Sequence, residues 1–236
     1  MNALRKINAG RFCLRTWGPY AAFNRSELKV ERVSYDVITP SAARGIFTAI
    51  LWKPAIRWRI TEIEVLKPIR TISIRRNEVG KTAPSRPPIA PLFIEKERQQ
   101  RAGIFLRDVE YRLHAEMDYL PPGHPERRDR PRQGSEESET PMKYREMFLR
   151  RAAAGQTFHQ PYFGTRECAA NFILVKEEDL AADRAAHPAL SAEHDCDFGV
   201  MLYDMDFDAD ENDPPAMFFR AVMKNGVVEV PGEGGI

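Results

Sequence analysis

The chain has 236 residues, 43% of them apolar, enough to bury a sizeable core without disulfides or metal. The opening MNALRKINAGRF lacks an apolar run of signal-peptide length, and no stretch approaches the roughly 20 apolar residues that span a bilayer, so a cytoplasmic protein without membrane association is expected. Net charge is +1, yet residues 1–160 carry 30 Lys and Arg against 18 Asp and Glu, while residues 161–236 carry 5 against 16. A phosphate backbone is drawn to the first part and repelled by the second. Cys13, Cys168 and Cys196 are scattered without a C-x-x-C pair and read as reduced thiols.

In chain order, residues 11–17 alternate Phe12, Leu14 and Thr16 with Arg11, Cys13, Arg15 and Trp17, which predicts a half-buried strand with a partly basic face. Thr39 as N-cap, Pro40 at the first helical position and the stripe Ala43, Ile46, Phe47, Ile50 predict a helix that stops before Pro54. From Ala55 a second strand puts Ile56, Trp58 and Ile60 on one face and Arg57 and Arg59 on the other, so a basic sheet face is expected. Trp52 and Trp58 could stack on bases, but their apolar neighbours favour core packing for both. Residues 70–105 are polar and basic around a proline-rich centre, an extended hairpin or loop insertion.

A third strand carries Val109, Tyr111, Leu113, Ala115 and Met117 inward and Arg112 and His114 outward, with the second strand as its expected partner. Residues 120–140 hold too few apolar side chains to pack and are expected to be a flexible insertion. Thr140 and Pro141 repeat the cap-plus-proline signal and open a second helix that ends at Gly155; a fourth strand is expected near 162–175. Strand, helix, strand, strand, helix, strand is the order of a ferredoxin-like domain, an α+β architecture in which two helices cover one face of a four-stranded antiparallel sheet. Short runs at 198–207, 217–223 and 227–230, with a turn at Asn225 and Gly226, predict a small C-terminal antiparallel sheet. The expected division is 1–175 and 176–236, the second part acidic.

Arg44, Lys53, Arg57, Arg59, Arg75, Arg76, Arg98 and Arg101 concentrate around the first helix, the second strand and the hairpin, and are the candidates for tracking a nucleic-acid backbone. In DMDFDADENDP, Asp204, Asp206 and Asp208 have calcium-loop spacing, but Ala209 and Pro215 stand where such a loop needs glycine and a bidentate glutamate, so no metal is expected. A strand with one acidic face, suited to protecting an edge or docking a partner subunit, explains the same residues.

The phrase TPSAARGIFTAILWKPAIRW from Thr39, with VLKPI at Val65, RRNEV at Arg75, RQQRA at Arg98, YFGTREC at Tyr162 and FFRAVMKNGVVEVP at Phe218, closely resembles the CRISPR-associated Cas-five proteins of subtype d. The resemblance covers most of the chain outside 120–140. It implies a ferredoxin-like domain of the RAMP superfamily and a small C-terminal sheet. It also implies a protein that binds the repeat hairpin of precursor CRISPR RNA, cuts it without metal or cofactor, and stays with the product beside the backbone and large subunits of a type I-C surveillance complex. The implied alternative is a non-catalytic cap on the 5′ end of the guide RNA; duplex DNA is a third, weaker ligand for the same basic surface.

Such cleavage turns the RNA 2′-hydroxyl on the adjacent phosphate and needs a proton-handling group and a cation for the phosphoryl oxygens. The family is similar in pairing a Lys-His dipeptide at the start of the second helix with an aromatic before the Trp-Lys-Pro phrase. Lys143 matches, Tyr144 stands for the histidine, and Leu51 replaces the aromatic. Lys143 is the expected charge stabiliser and Tyr144 the proton carrier, its pKa lowered by flanking Lys143, Arg145 and the helix terminus. His114 is the fallback for the missing imidazole. His159 lies roughly 18 Å along the helix from Lys143, and His124, His187 and His194 read as solvated.

Overall fold

The computed structural model describes residues 5–28, 31–81, 91, 93–127, 139–207, 209–210 and 212–232. Its strands are β1 (Ile7–Ala21), β2 (Arg32–Val33), β3 (Ile56–Val65), β4 (Thr71–Val79), β5 (Arg98–Tyr119), β6 (Asn171–Val175), β7 (Cys196–Met205), β8 (Ala216–Lys224) and β9 (Val227–Glu229). Its α-helices are α1 (Pro40–Ile50), α2 (Pro141–Ala153) and α3 (Leu180–Ala186). They build a mixed α/β fold on one sheet in the order β6-β1-β5-β3-β9-β8-β7, antiparallel at every step, with β4 and the short, parallel β2 also paired to β5. No described helix is long and apolar enough to cross a membrane.

Both main helices start as their caps dictate. Thr39 Oγ1 accepts from the Ala42 N–H and Thr140 Oγ1 from the Lys143 N–H, each with proline in the first turn. The α1 stripe Ala43, Ile46, Phe47 and Ile50 is buried, as are Tyr144, Phe148 and Ala152 of α2. The helices share one face of the sheet, where the Trp58 ring lies 4.6 Å from Phe148 and 5.1 Å from Phe47, and Phe12 lies 4.8 Å from Phe148. Trp58 is core, as expected; Trp52 is not, at 53% exposed.

Several expectations are corrected in extent. The hairpin's returning strand and the third strand are one 22-residue strand, β5, whose first half pairs with β4 and second half with β1 and β3. Its polar first half hides this in sequence, because a two-stranded arm exposes both faces. Asp108, at φ 52, marks the bend between the halves. The fourth strand is confined to 171–175. Of the insertion expected to be flexible, 120–127 is folded: Leu120, His124 and Arg127 are buried, and Arg127 donates to the Leu120 carbonyl at 3.2 Å and to Glu139 at 2.5 Å. Residues 128–138 lie outside the described residues. Asn225 and Gly226, both at positive φ, make the two-residue turn between β8 and β9, and β9 pairs with β3, so β7–β9 continue the main sheet.

The face opposite the helices is not a basic surface, because register pairs its cations with carboxylates. Arg59 bonds Glu116 at 2.5 Å, Arg11 bonds the same carboxylate at 2.8 Å, and against the upward pull of burial these hold Glu116 below the ordinary carboxylate range. At the centre Arg112 is fully buried. Its guanidinium donates to Glu64 of β3, to Asp183 of α3 at 2.8 Å and to the His187 carbonyl at 2.8 Å, which fastens α3 over the sheet. Burial would raise Glu64, but hydrogen bonds from His114 and Arg184 and the charge of Arg112 bring its pKa down to about 2.

Arg112→Ala removes the buried partner of Glu64 and Asp183, leaving Glu64 to His114 and Arg184 and Asp183 to Arg15, and is expected to destabilise by about 3 kcal/mol, with Arg112→Met costing less, both read from urea unfolding. Because Glu64 is depressed from 4.5 to about 2, its contribution is complete above pH 4.5 and is lost as pH falls from there through about 2. Urea midpoints across that window fall in the wild type, and Glu64→Gln, less stable at neutral pH, flattens the fall.

Candidate functional site

Two clefts flank the sheet where its short strands run out. β6 pairs only with Cys13–Trp17 of β1, and β9 only with Glu62–Glu64 of β3, so the first halves of β1 and β3 each keep one edge without a described partner strand. A cleft of about 760 Å³ follows the β1 edge from α2 round to the face that carries His114, and one of about 520 Å³ follows the β3 edge between α1 and β7.

In the β1 cleft, His114 Nε2 lies 2.7 Å from Glu64 Oε1. With the proton of Nε2 directed at the carboxylate, Nδ1 is the lone-pair nitrogen of the neutral ring, the arrangement by which a hydrogen-bonded carboxylate fixes a histidine tautomer. Arg145 reaches the same cleft from α2, its guanidinium 5.4 Å over the Phe12 ring and without an ion-pair partner among the described residues. It occupies the space a side chain at position 10 would fill: a Cβ on Gly10, whose φ is +130, would stand 2.0 Å from Arg145 Nη1. Arg11, Lys176 and Arg184 line the walls with Glu62, Glu116, Glu177 and Glu178.

Glu62, Glu64 and His114 present ligand atoms within 4.8 Å of one another, the one such group found among the described residues. The donor set does not suit a cation. Glu64 already accepts from Arg112, His114 and Arg184, so two guanidinium charges sit where a metal would need electron density.

The Lys143 and Tyr144 pair divides. Lys143 is exposed on the first turn of α2, with no ion-pair partner among the described residues. Tyr144 is 4% exposed, stacked on Tyr119 at 5.9 Å, and its pKa is raised by burial and by the Glu139 carboxylate that its hydroxyl meets, opposite to the expected depression. The flanking cations do not prevail because Tyr144 faces the core while its neighbours in sequence face away. Leu51 is wholly buried, its carbonyl accepting from Trp58 Nε1 at 2.9 Å. His159 is exposed beside Tyr162, and His124 is buried rather than solvated.

The RNA-binding candidates also divide. Arg75 and Arg98 are exposed on the β4–β5 arm, and Lys53 is half-buried after α1. Arg44 forks onto Asp204 at 2.8 and 2.6 Å, Arg57 donates to the Glu126 carbonyl, Arg76 pairs with Glu167 and covers Phe105, and Arg101 meets Gln99 at 3.2 Å. Asp204, read above as part of a strand's acidic face, is spent on Arg44.

Glu64 and Arg145 were missed. Strict alternation puts Glu64 on the core side of β3, but Thr61 is an extra residue: Ile60 faces Ala115 and Glu62 faces His114 across the ladder. The polar pair Thr61-Glu62 after a clean alternation was the available sign of that bulge.

The CRISPR-associated protein family Cas_Cas5d (Cas_Cas5) matches residues 12–231. A protein of Mannheimia succiniciproducens named CRISPR pre-crRNA endoribonuclease Cas5d is 47% identical over 234 residues, 94% of this chain and 96% of that protein. One of the same name from Thermus thermophilus is 37% identical over 240 residues, covering 94% and 92%. A crystal structure described as a CRISPR-associated protein superposes with a TM-score of 0.68 at 21% identity, covering 99% of this chain and 98% of the other, which shows a shared fold.

Proposed function

The chain belongs to the CRISPR-associated Cas5 family in its subtype d form, and from that premise we propose that it binds the repeat hairpin of precursor CRISPR RNA and cleaves it without metal. The 2′-hydroxyl attacks the adjacent phosphate, its proton passes to the enzyme, and the 5′-oxygen leaves with a proton, giving a cyclic phosphate and a 5′-hydroxyl. The cut RNA stays bound by its 5′ handle, with the backbone and large subunits of a type I-C surveillance complex as partners. Residues 1–175 are read as a ferredoxin-like domain, since β6-β1-β5-β3 with α1 and α2 on one face follows that topology. Residues 176–236 add a small acidic sheet through the pairing of β9 with β3.

The observation that carries the reading is the cleft lined both by a carboxylate-oriented His114 and by Arg145, which has no ion-pair partner among the described residues. His114 is proposed to take the 2′-hydroxyl proton through Nδ1; Arg145, with Lys143 earlier on the same helix, meets charge on the phosphoryl oxygens. Tyr144, which holds its proton tightly, is at most a donor. Phosphates elsewhere fall to Lys53, Arg75 and Arg98, with Arg44, Arg57, Arg59, Arg76 and Arg101 giving up internal partners if they take part; duplex DNA would use the same cations.

A second reading is favoured by the burial of Leu51 and Tyr144, which seals two of the three positions where the family's chemistry is similar. It makes the protein a non-catalytic cap on the guide RNA. Labelled repeat RNA with excess EDTA separates the two: product ending in a cyclic phosphate is expected, and bound but intact RNA leaves the cap. His114→Ala is expected to slow cleavage by about 10²–10⁴-fold and Lys143→Ala by a smaller factor, both with unchanged hairpin affinity. Unchanged rates in both would place the chemistry elsewhere.

A further inference from the structure

The β3 cleft plays no part in that chemistry, and its composition differs from a phosphate channel. Five consecutive residues, Ile56–Ile60, line it from both faces of the strand, as only an edge permits. Its four cations, Lys6, Arg44, Arg57 and Arg59, are matched by Asp118, Glu126, Asp204 and Asp206. Lys6 is bound to Glu126 at 3.0 Å, Arg44 to Asp204 at 2.6 Å and Arg59 to Asp118 at 3.4 Å. The cleft therefore offers polyanionic backbone little net attraction, but fixed donors and acceptors beside an apolar wall.

That wall is Trp52. Leu51 takes extended geometry at the end of α1 and turns inward, where its carbonyl is held by Trp58 Nε1, so the next side chain is sent outward, and Pro54 stiffens the exit. The indole is half exposed on a braced segment, and Phe207, 47% exposed, lines the same cleft. An aromatic face carried on a braced backbone can stack a base. A volume of about 520 Å³ admits one nucleoside.

We propose that this cleft receives one unpaired nucleobase of the bound RNA, stacked on Trp52 and met at its edge by the charged pairs of the floor. A base inside the hairpin duplex has both faces covered, so the nucleotide is a single-stranded one, assigned to the flank and not to the hairpin loop. The proposal rests on the RNA-binding reading above, and adds a subsite that grips the flank independently of the cut.

The test compares repeat hairpin RNA with its flank, the hairpin alone, and flanked RNAs abasic at one position each, all titrated into the full-length protein. Wild type binds flanked RNA about tenfold more tightly than the hairpin, and one abasic position removes that gain. Trp52→Ala loses the same factor for flanked RNA only, Trp52→Phe restores most of it, and thermal unfolding of both variants is unchanged. A Trp52→Ala protein that keeps the preference for the flank, or a flank tolerant of every abasic position, overturns the subsite and leaves hairpin binding intact. Wild type that binds no repeat RNA overturns both.

Discussion

A fully buried guanidinium at the middle of the sheet sets the terms for everything around it. Arg112 has no solvent, so each of its donors needs a protein acceptor, and those come from β3 through Glu64 and from α3 through Asp183 and two carbonyls. One residue thereby links the two central strands and, with Arg15 on Asp183 and Arg184 on Glu64, anchors a seven-residue helix that has no buried side chain of its own. Glu64, recruited to neutralise Arg112, is also the carboxylate that orients His114. The charge that closes one face of the sheet thus orients the histidine that stands two residues along β5 on that same face.

With that face neutralised and the other covered by α1 and α2, the sheet's free chemistry moves to its edges. β6 and β9 are five and three residues long, much shorter than the strands they flank. Each stops early, and beyond each lies a cleft with a different complement: an oriented histidine and an arginine without an ion-pair partner among the described residues beside β1, an exposed tryptophan over balanced ion pairs beside β3. Shortness of the flanking strands is the structural cause of both.

The local elements were legible because their signals are local. Caps and prolines announced α1 and α2, and alternation announced the cores of β1, β3 and β5. What escaped depends on partners distant in sequence. Arg59 looks like a ligand for phosphate until register sets it beside Glu116 and Asp118. Tyr144 looks like an activated phenol until the helix turns it toward Tyr119 and Glu139. The family resemblance pointed to Lys143 and Tyr144, with His114 only the fallback for a missing imidazole, and not to Glu64 or Arg145, whose placement follows from a bulge and a glycine's missing side chain. Trp52 and Trp58 share a neighbourhood in sequence, and only the end of α1 decides that one faces in and the other out.

In the proposed reaction the RNA's own hydroxyl is the nucleophile, and one substitution in the substrate tests this directly. Repeat RNA carrying a single 2′-deoxy sugar at the nucleotide before the cut should bind with undiminished affinity and remain whole, while the same RNA with deoxy sugars elsewhere in the hairpin is cleaved. Cleavage that continues at the deoxy position would contradict the mechanism, and with it the place given to His114.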